Sequence, residues 1–202
     1  MPKSFLLSDE LHHYITDHST PFDDLRNRLV AETAGLGGIA QMQVAPEQSV
    51  FLTLVTRLVG ARHAVEVGTF TGLSALSIAS GLAPGGRLTC CDVSDEWTSM
   101  ARKYWQLADV SDRIELQLRP ALETLQAMPA TETFDLAFID ADKTGYVSYW
   151  DEVVPRMKPG GAILVDNTLS HGRVIDPAVT NASVRPSPIG SSTRTTRLSA
   201  AA

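Results

Sequence analysis

The sequence predicts an α/β fold built on a doubly wound, mostly parallel sheet. Three observations carry this. From His63 onward, short apolar runs alternate with amphipathic stretches. The first run passes into a glycine-containing turn, "VEVGTFTGLS" (65–74). Three later runs stop abruptly at an acid: "RLTCCD" at Asp92, "FDLAFID" at Asp140 and "GAILVDN" at Asp166. Strands that alternate with helices argue for a parallel sheet covered on both faces. In such sheets ligands sit beyond the carboxyl ends of the strands, where these acids fall.

The elements follow in order. Residues 8–34 read as helical, with a break near "STP" (19–21), and "AGLGGIAQMQVA" (34–45) reads as a glycine-rich connector. Pro46 is placed to open a helix, because it needs no intrahelical N–H at the first position. The spacing puts Val50, Phe51, Leu54, Val55, Leu58 and Val59 on one face of that helix, and Gly60 stops it. "HAVEVG" is then a strand and "TGLSALSIASGL" a helix. "GRLTCCDV" is a strand, "EWTSMARKYWQLA" a helix and "RIELQL" a strand. "PALETLQAM" is a short helix, "FDLAFID" a strand, "YVSYWDEVVPRM" a helix and "GAILVDN" the fifth strand. The segment 186–202, "PSPIGSSTRTTRLSAAA", has neither strand nor helix period and the composition of a disordered tail.

Composition narrows the function. The chain has 202 residues, 44% hydrophobic, and a net charge of −6 with no basic run, which argues against a nucleic-acid partner. No apolar stretch approaches the roughly 20 residues of a membrane span, and the apolar patch at the N-terminus is too short for a signal peptide. Cys90 and Cys91 are adjacent in an apolar run and read as core thiols of a reducing cytoplasm.

The turn after the first strand has the spacing Glu-x-Gly-x-x-x-Gly. Gly68 allows a sharp turn and a close approach to a ligand, and Gly72 lets the helix pack on the strand. Glu66 sits at the strand mouth. Asp92 lies twenty residues beyond Gly72, where a carboxylate suits a ribose diol. A nicotinamide dinucleotide would want G-x-G-x-x-G to seat its pyrophosphate. The third glycine is missing and an acid points where phosphate would sit, which favours a cationic nucleoside such as S-adenosylmethionine. The plain alternative is a turn with two convenient glycines.

If the fourth and fifth strands are neighbours, about 4.8 Å apart, Asp140 and Asp166 come close and repel. A hard cation would relieve this: two carboxylates and the Asn167 amide oxygen make an oxygen shell that suits Mg2+ and accepts Ca2+ or Mn2+. Lys143, three residues after Asp140, faces the same cleft and is a candidate base. The alternative is that these acids cap neighbouring helices or pair with Lys143 and Arg173.

Four segments carry a family resemblance: "KSFLLSDELHHYI", "MQVAPEQSVFL", "VEVGTFTGLSALSIA" and "FIDADKTGYVSYWDEVVPRMKPGGAILVDNTLSHGRV". They resemble the cation-dependent class I O-methyltransferases of the caffeoyl-CoA and catechol type, over about residues 3–184. The resemblance implies a Rossmann-like methyltransferase domain over 1–185, with an N-terminal helical segment (1–60), acting as a cytoplasmic homodimer. It implies that Glu66, Gly68, Thr69 and Ser74 lie around the methionine and ribose of S-adenosylmethionine. Val44 would touch the cofactor from the connector, Asp92 would bind its ribose, Ala121 would lie beside the adenine, and Asp142 would be a cofactor-side acid. It further implies Asp140, Asp166 and Asn167 as metal ligands, Asp140 and Lys143 as catalytic residues, and Lys3 and His171 on the acceptor side. His171 departs from the Asn of the plant enzymes, which points away from their thioester substrate. The implied acceptor is a catechol-like or caffeoyl-like phenolic.

The C-terminal sequence departs from the family. Relatives continue past "DP-x-x-T" into a helix and two closing antiparallel strands, whereas here "SVRPSPIGSSTRTTRLSAAA" loses that pattern. The expectation is that the closing strands are missing, through a frameshift, a truncation or a natural short form. Two other readings stand beside the enzyme: a vestigial S-adenosylmethionine-binding protein, and a nicotinamide-dependent oxidoreductase on a similar sheet.

Overall fold

The structure is a computed structural model that describes residues 8–131, 133–169 and 173. Lys3, His171 and the segment 174–202, including the expected tail, lie outside the described residues.

Two helices open the chain, α1 (Asp9–Asp17) and α2 (Asp24–Ala34). Each starts on a capping side chain: Ser8 accepts the Leu11 N–H at 3.3 Å, and Asp23 accepts the Arg26 N–H at 2.7 Å. The connector winds into a 3-10 turn, Gly37–Met42, before α3 (Pro46–Leu58), which starts at the expected proline. Gly60, at φ 61°, lies just beyond its end.

From there β1 (His63–Val67), α4 (Leu73–Gly81), β2 (Arg87–Asp92), α5 (Asp95–Leu107), β3 (Ile114–Leu118), α6 (Ala121–Ala127), β4 (Phe134–Ile139), α7 (Tyr146–Val153) and β5 (Met157–Val165) alternate as expected. All pairings are parallel, in the order β3-β2-β1-β4-β5. This is a Rossmann-like sheet whose order reverses between β1 and β4, the place where such folds bind ligands. Among the described residues β5 is an edge strand. It begins earlier than the sequence suggests. "PRM" is not the end of a helix: residues 154–156 form a 3-10 turn and Met157 already pairs with Phe134, with a register irregularity before Leu136.

The sheet has a core on each face. On one, Leu76, Ile78, Leu88, Tyr104 and Trp105 pack with Leu29 and Leu52; on the other, Val65, Ala137 and Ile139 pack with Leu125, Tyr149 and Val153. Cys90 and Cys91 are buried and free, as expected.

Helix α3 corrects the sequence reading. It buries Ser49, Leu52 and Thr56, whereas Phe51, Leu54 and Leu58 are exposed; only Val55 and Val59 of the expected stripe pack against the core. The reason lies in α4, "LSALSIASG", which has small residues facing α3. Ser49 and Ser77 share a 2.5 Å hydrogen bond, Thr53 donates to the Ser77 carbonyl at 2.9 Å, and a Cβ on Gly81 would lie 2.7 Å from Thr56. Close helix packing between small residues outcompetes the apolar stripe, and the hydroxyls stay satisfied: Thr56 donates to the Leu52 carbonyl and Ser77 to that of Leu73. Among the described residues, no helix is long and apolar enough to cross a membrane.

Candidate functional site

The strand ends converge. Gly68 donates its N–H to the Cys91 carbonyl at 2.9 Å, Asp140 to Val67 at 2.8 Å, and Asp166 to Ile139 at 3.0 Å. Each of these residues therefore continues the parallel ladder one step past its strand. Ile139 pairs with Val165, so Asp140 and Asp166 stand side by side at the mouth of the sheet.

A cavity of about 980 Å³ opens there. It is lined by Val44, Gly68, Thr69, Ser74, Asp92, Ala121, Asp140, Asp142, Lys143, Asp166 and Asn167. Every expected site residue within the described chain lines this cavity except Glu66. Glu66 is fully buried behind the wall, where Thr69 Oγ1 donates to its Oε2 at 3.0 Å while Oε1 has no hydrogen-bond partner. Burial pushes its carboxyl up to about 7; polar contacts with Ser74, Thr69 and Cys90 offset part of that, and the Asp92 charge adds to it.

Asp92 is committed before any ligand arrives. Its Oδ2 accepts the N–H groups of Thr69 at 2.9 Å and Phe70 at 2.8 Å, and its Oδ1 accepts that of Ser94 at 2.8 Å. The carboxylate thus holds the glycine turn, including Phe70 at the uncommon φ of 50°. A carboxylate has about four acceptor positions, so these local donors share it with whatever the cavity receives.

Asp142 is likewise tied down. It caps the turn 143–145 by accepting from Gly145 N at 2.8 Å and Thr144 Oγ1 at 2.8 Å, and Tyr149 donates to its Oδ1 at 2.5 Å. These bonds outweigh the effect of burial and hold its carboxyl below the usual range. Asp140 behaves oppositely. Burial, then the adjacent Asp166 charge, push its carboxyl up, against the pull of Lys143. Lys143 Nζ lies 3.1 Å from Asp140 Oδ1, donates to the Tyr146 hydroxyl and sits over the Tyr146 ring at 4.5 Å.

Asp140, Asp166 and the Asn167 amide bring three oxygen ligands to one corner of the cavity, and the Asp166 charge bears on Asp140. That donor chemistry fits a hard divalent cation. Among the described residues no group of three His, Cys, Asp or Glu side chains surrounds one point, so a metal here would need Asn167 as its third protein ligand.

Sequence reasoning missed several wall residues. Gln43 and Gln48 approach from the connector and α3, Phe70 and Trp97 form an edge-to-face pair with centroids 5.2 Å apart, and Tyr149 holds Asp142; behind the wall, the Tyr146 hydroxyl accepts from Lys143. The signal for Gln43 and Gln48 was present in "MQVAPEQ"; Trp97 reads as an ordinary core aromatic of α5.

Fold and cavity define a Rossmann-like α/β domain with its binding cleft at the switch point of the sheet. A family profile described as O-methyltransferase matches residues 16–186, and the chain belongs to that family. It is 38% identical over 182 residues to the probable caffeoyl-CoA O-methyltransferase 2 of Dictyostelium discoideum, covering 89% of this chain and 78% of that protein. It is 32% identical over 180 residues to caffeoyl-CoA O-methyltransferase 1 of Arabidopsis thaliana, covering 87% and 70%. Among solved structures it is similar to the O-methyltransferase from Bacillus cereus in complex with SAH, with TM-score 0.80 and 32% identity over 87% of this chain and 80% of that one. TomG from Streptomyces achromogenes, in complex with SAM, gives TM-score 0.79 and 28% identity over 87% and 79%.

Proposed function

We propose that this chain moves a methyl group from S-adenosylmethionine to a hydroxyl of a catechol-like or caffeoyl-like phenolic, with help from a divalent cation. The observation that carries the reading is the meeting of two motifs in one cavity. A glycine turn backed by acids adjoins a pair of strand-end carboxylates beside a lysine. The Bacillus cereus and Streptomyces relatives, crystallised with SAH and SAM, support the choice of cofactor.

In this reading the wall from Val44 to Ser74 and Ala121 receives the cofactor and excludes water. Methyl transfer joins an anionic oxygen to a sulfonium carbon. The O–C bond forms as the S–C bond breaks, its electron pair stays on sulfur, and charge is neutralised in a dry cleft. As the neutral amine, Lys143 Nζ, steered by Asp140 and Tyr146, accepts the hydroxyl proton and becomes the ammonium. Asp140, Asp166 and Asn167 would hold the cation, which when bound supplies positive charge that favours the ionised acceptor. Vicinal hydroxyls suit such a site, because two adjacent oxygens fix the angle of attack. Lys3 and His171 belong to the acceptor side in this reading.

A homodimer in a reducing, cytoplasmic setting completes the proposal; the exposed Phe51, Leu54 and Leu58 and the free buried thiols support it. The test is incubation with labelled S-adenosylmethionine, Mg2+ and a catechol panel, with and without chelator. Label transfer abolished by chelator and restored by Mg2+ is expected. Transfer insensitive to chelator would remove the metal, and cofactor binding without transfer would indicate a vestigial protein.

A further inference from the structure

The connector 37–45 contributes to one wall of the cavity as a 3-10 turn followed by extended backbone; Gln43 N–H donates to the Ala40 carbonyl at 3.0 Å, and Val44 packs into the core. Its side-chain tie to the rest of the cavity is a closed ring of three side chains from three different elements. Gln43 Nε2 donates to Thr33 Oγ1 of α2 at 2.9 Å and to Thr71 Oγ1 of the glycine turn at 3.1 Å; Thr33 Oγ1 donates to Thr71 Oγ1 at 2.9 Å. Both threonines are fully buried. The amide thus spends both its N–H donors on buried oxygens, and outside the ring Thr33 Oγ1 has only a long contact, 3.7 Å, to Met100 Sδ.

We propose that Gln43 is a positioning residue for the cofactor cleft: it locks the connector, and with it Val44, onto the turn 68–72. The inference rests on the methyltransferase reading of that cavity. Its physical basis is geometric. Thr71 sits between Phe70, held by Asp92, and Gly72, which starts α4. Val44 follows Gln43 directly and lines the same cavity as the turn. Moving the connector away from the turn requires breaking two buried hydrogen bonds and leaving two hydroxyls short of partners, which is costly. With the ring intact, the wall is in place before the cofactor arrives, and binding need not supply its ordering.

The test measures S-adenosylhomocysteine binding by calorimetry, together with kcat and KM for the cofactor, in Gln43→Ala, Thr33→Val and the double variant. Thr33→Val keeps side-chain shape and loses only the hydroxyl, so it does not depend on the fold surviving a cavity. Gln43→Ala should weaken binding by about tenfold or more and raise KM with kcat little changed. The double variant should be no weaker than Gln43→Ala alone, because the ring is already open. Unchanged affinity in Gln43→Ala, additive losses, or a drop in thermal stability without a change in affinity would overturn the proposal. If the wild-type chain binds no S-adenosylhomocysteine, the reading of the cavity falls, and this inference with it. If the wild type binds and the variants bind equally well, only this inference falls.

Discussion

Gly68 and Asp140 meet backbone to backbone: a Cβ on Gly68 would lie 2.2 Å from the Asp140 carbonyl oxygen and 3.1 Å from Ala141 Cα. The turn that would hold the cofactor and the strand end that carries the first acid are therefore packed as one unit. Gly68 also has φ 92°, a conformation that side chains disfavour. Gly68→Ala should lose about 3 kcal/mol or more of stability, combining backbone strain with a contact that only backbone movement can relieve. Cofactor affinity and turnover should fall together. Thermal melting and S-adenosylhomocysteine titration check this; a variant as stable as wild type would mean that the two segments are not coupled.

Asp92 should prove as much a structural residue as a binding one. Asp92→Ala strips acceptors from three backbone N–H groups. An expected loss of about 2–4 kcal/mol follows from hydrogen bonds to a charged group, and it should be measurable in the absence of any ligand. Asp92→Asn keeps one oxygen and should fall between. A ligand-free melting curve unchanged in Asp92→Ala, with only cofactor affinity lost, would return Asp92 to a pure ribose contact.

How much of this could be read from the chain divides along a physical line. The alternation of strands and helices follows from local periodicity, so the pattern after His63 and the acids at Asp92, Asp140 and Asp166 were legible; that the fourth and fifth strands are neighbours was only a condition of the reading, and Ile139 pairing with Val165 meets it. The inward face of α3 was not legible. Its apolar period points to Phe51, Leu54 and Leu58, but the winning contact is the Ser49–Ser77 pair, which depends on the small residues of another helix. Nor could sequence show that Glu66 lies behind the cavity wall or that Asp92 and Asp142 are already engaged by local donors. Spacing places a residue at a strand mouth; it does not say which of its oxygens are spoken for.

Lys143 separates two roles. Held between Asp140 and Tyr146, it can act by moving a proton or by balancing charge. Lys143→Met should lower kcat by about 10²–10⁴-fold, the range for general base catalysis, with S-adenosylhomocysteine affinity held within about twofold. Lys143→Arg keeps a cation beside Asp140 but has no accessible neutral form, so it should be nearly as inactive. Substantial recovery of kcat in the arginine variant would identify the lysine as an electrostatic partner and not as the base.

Glu66 gives a pH signature to the fold itself. Its carboxyl is raised from 4.5 to about 7, first by burial. A folded-state value above the unfolded one means that the native chain holds this proton more tightly. The resulting stability is fully present below about pH 4.5 and is lost as pH rises, the loss being complete once pH passes the folded value near 7. The size is on the order of 3 kcal/mol, since each unit of difference corresponds to about 1.4 kcal/mol. Glu66→Gln cannot ionise and lacks this loss. Without cofactor, the stability of Glu66→Gln relative to wild type should therefore grow between pH 4.5 and 7 and stay constant above. Urea unfolding of the two proteins across that range measures it. Parallel curves would mean that Glu66 ionises as readily inside the fold as outside, and that the unpartnered Oε1 finds compensation that its surroundings do not show.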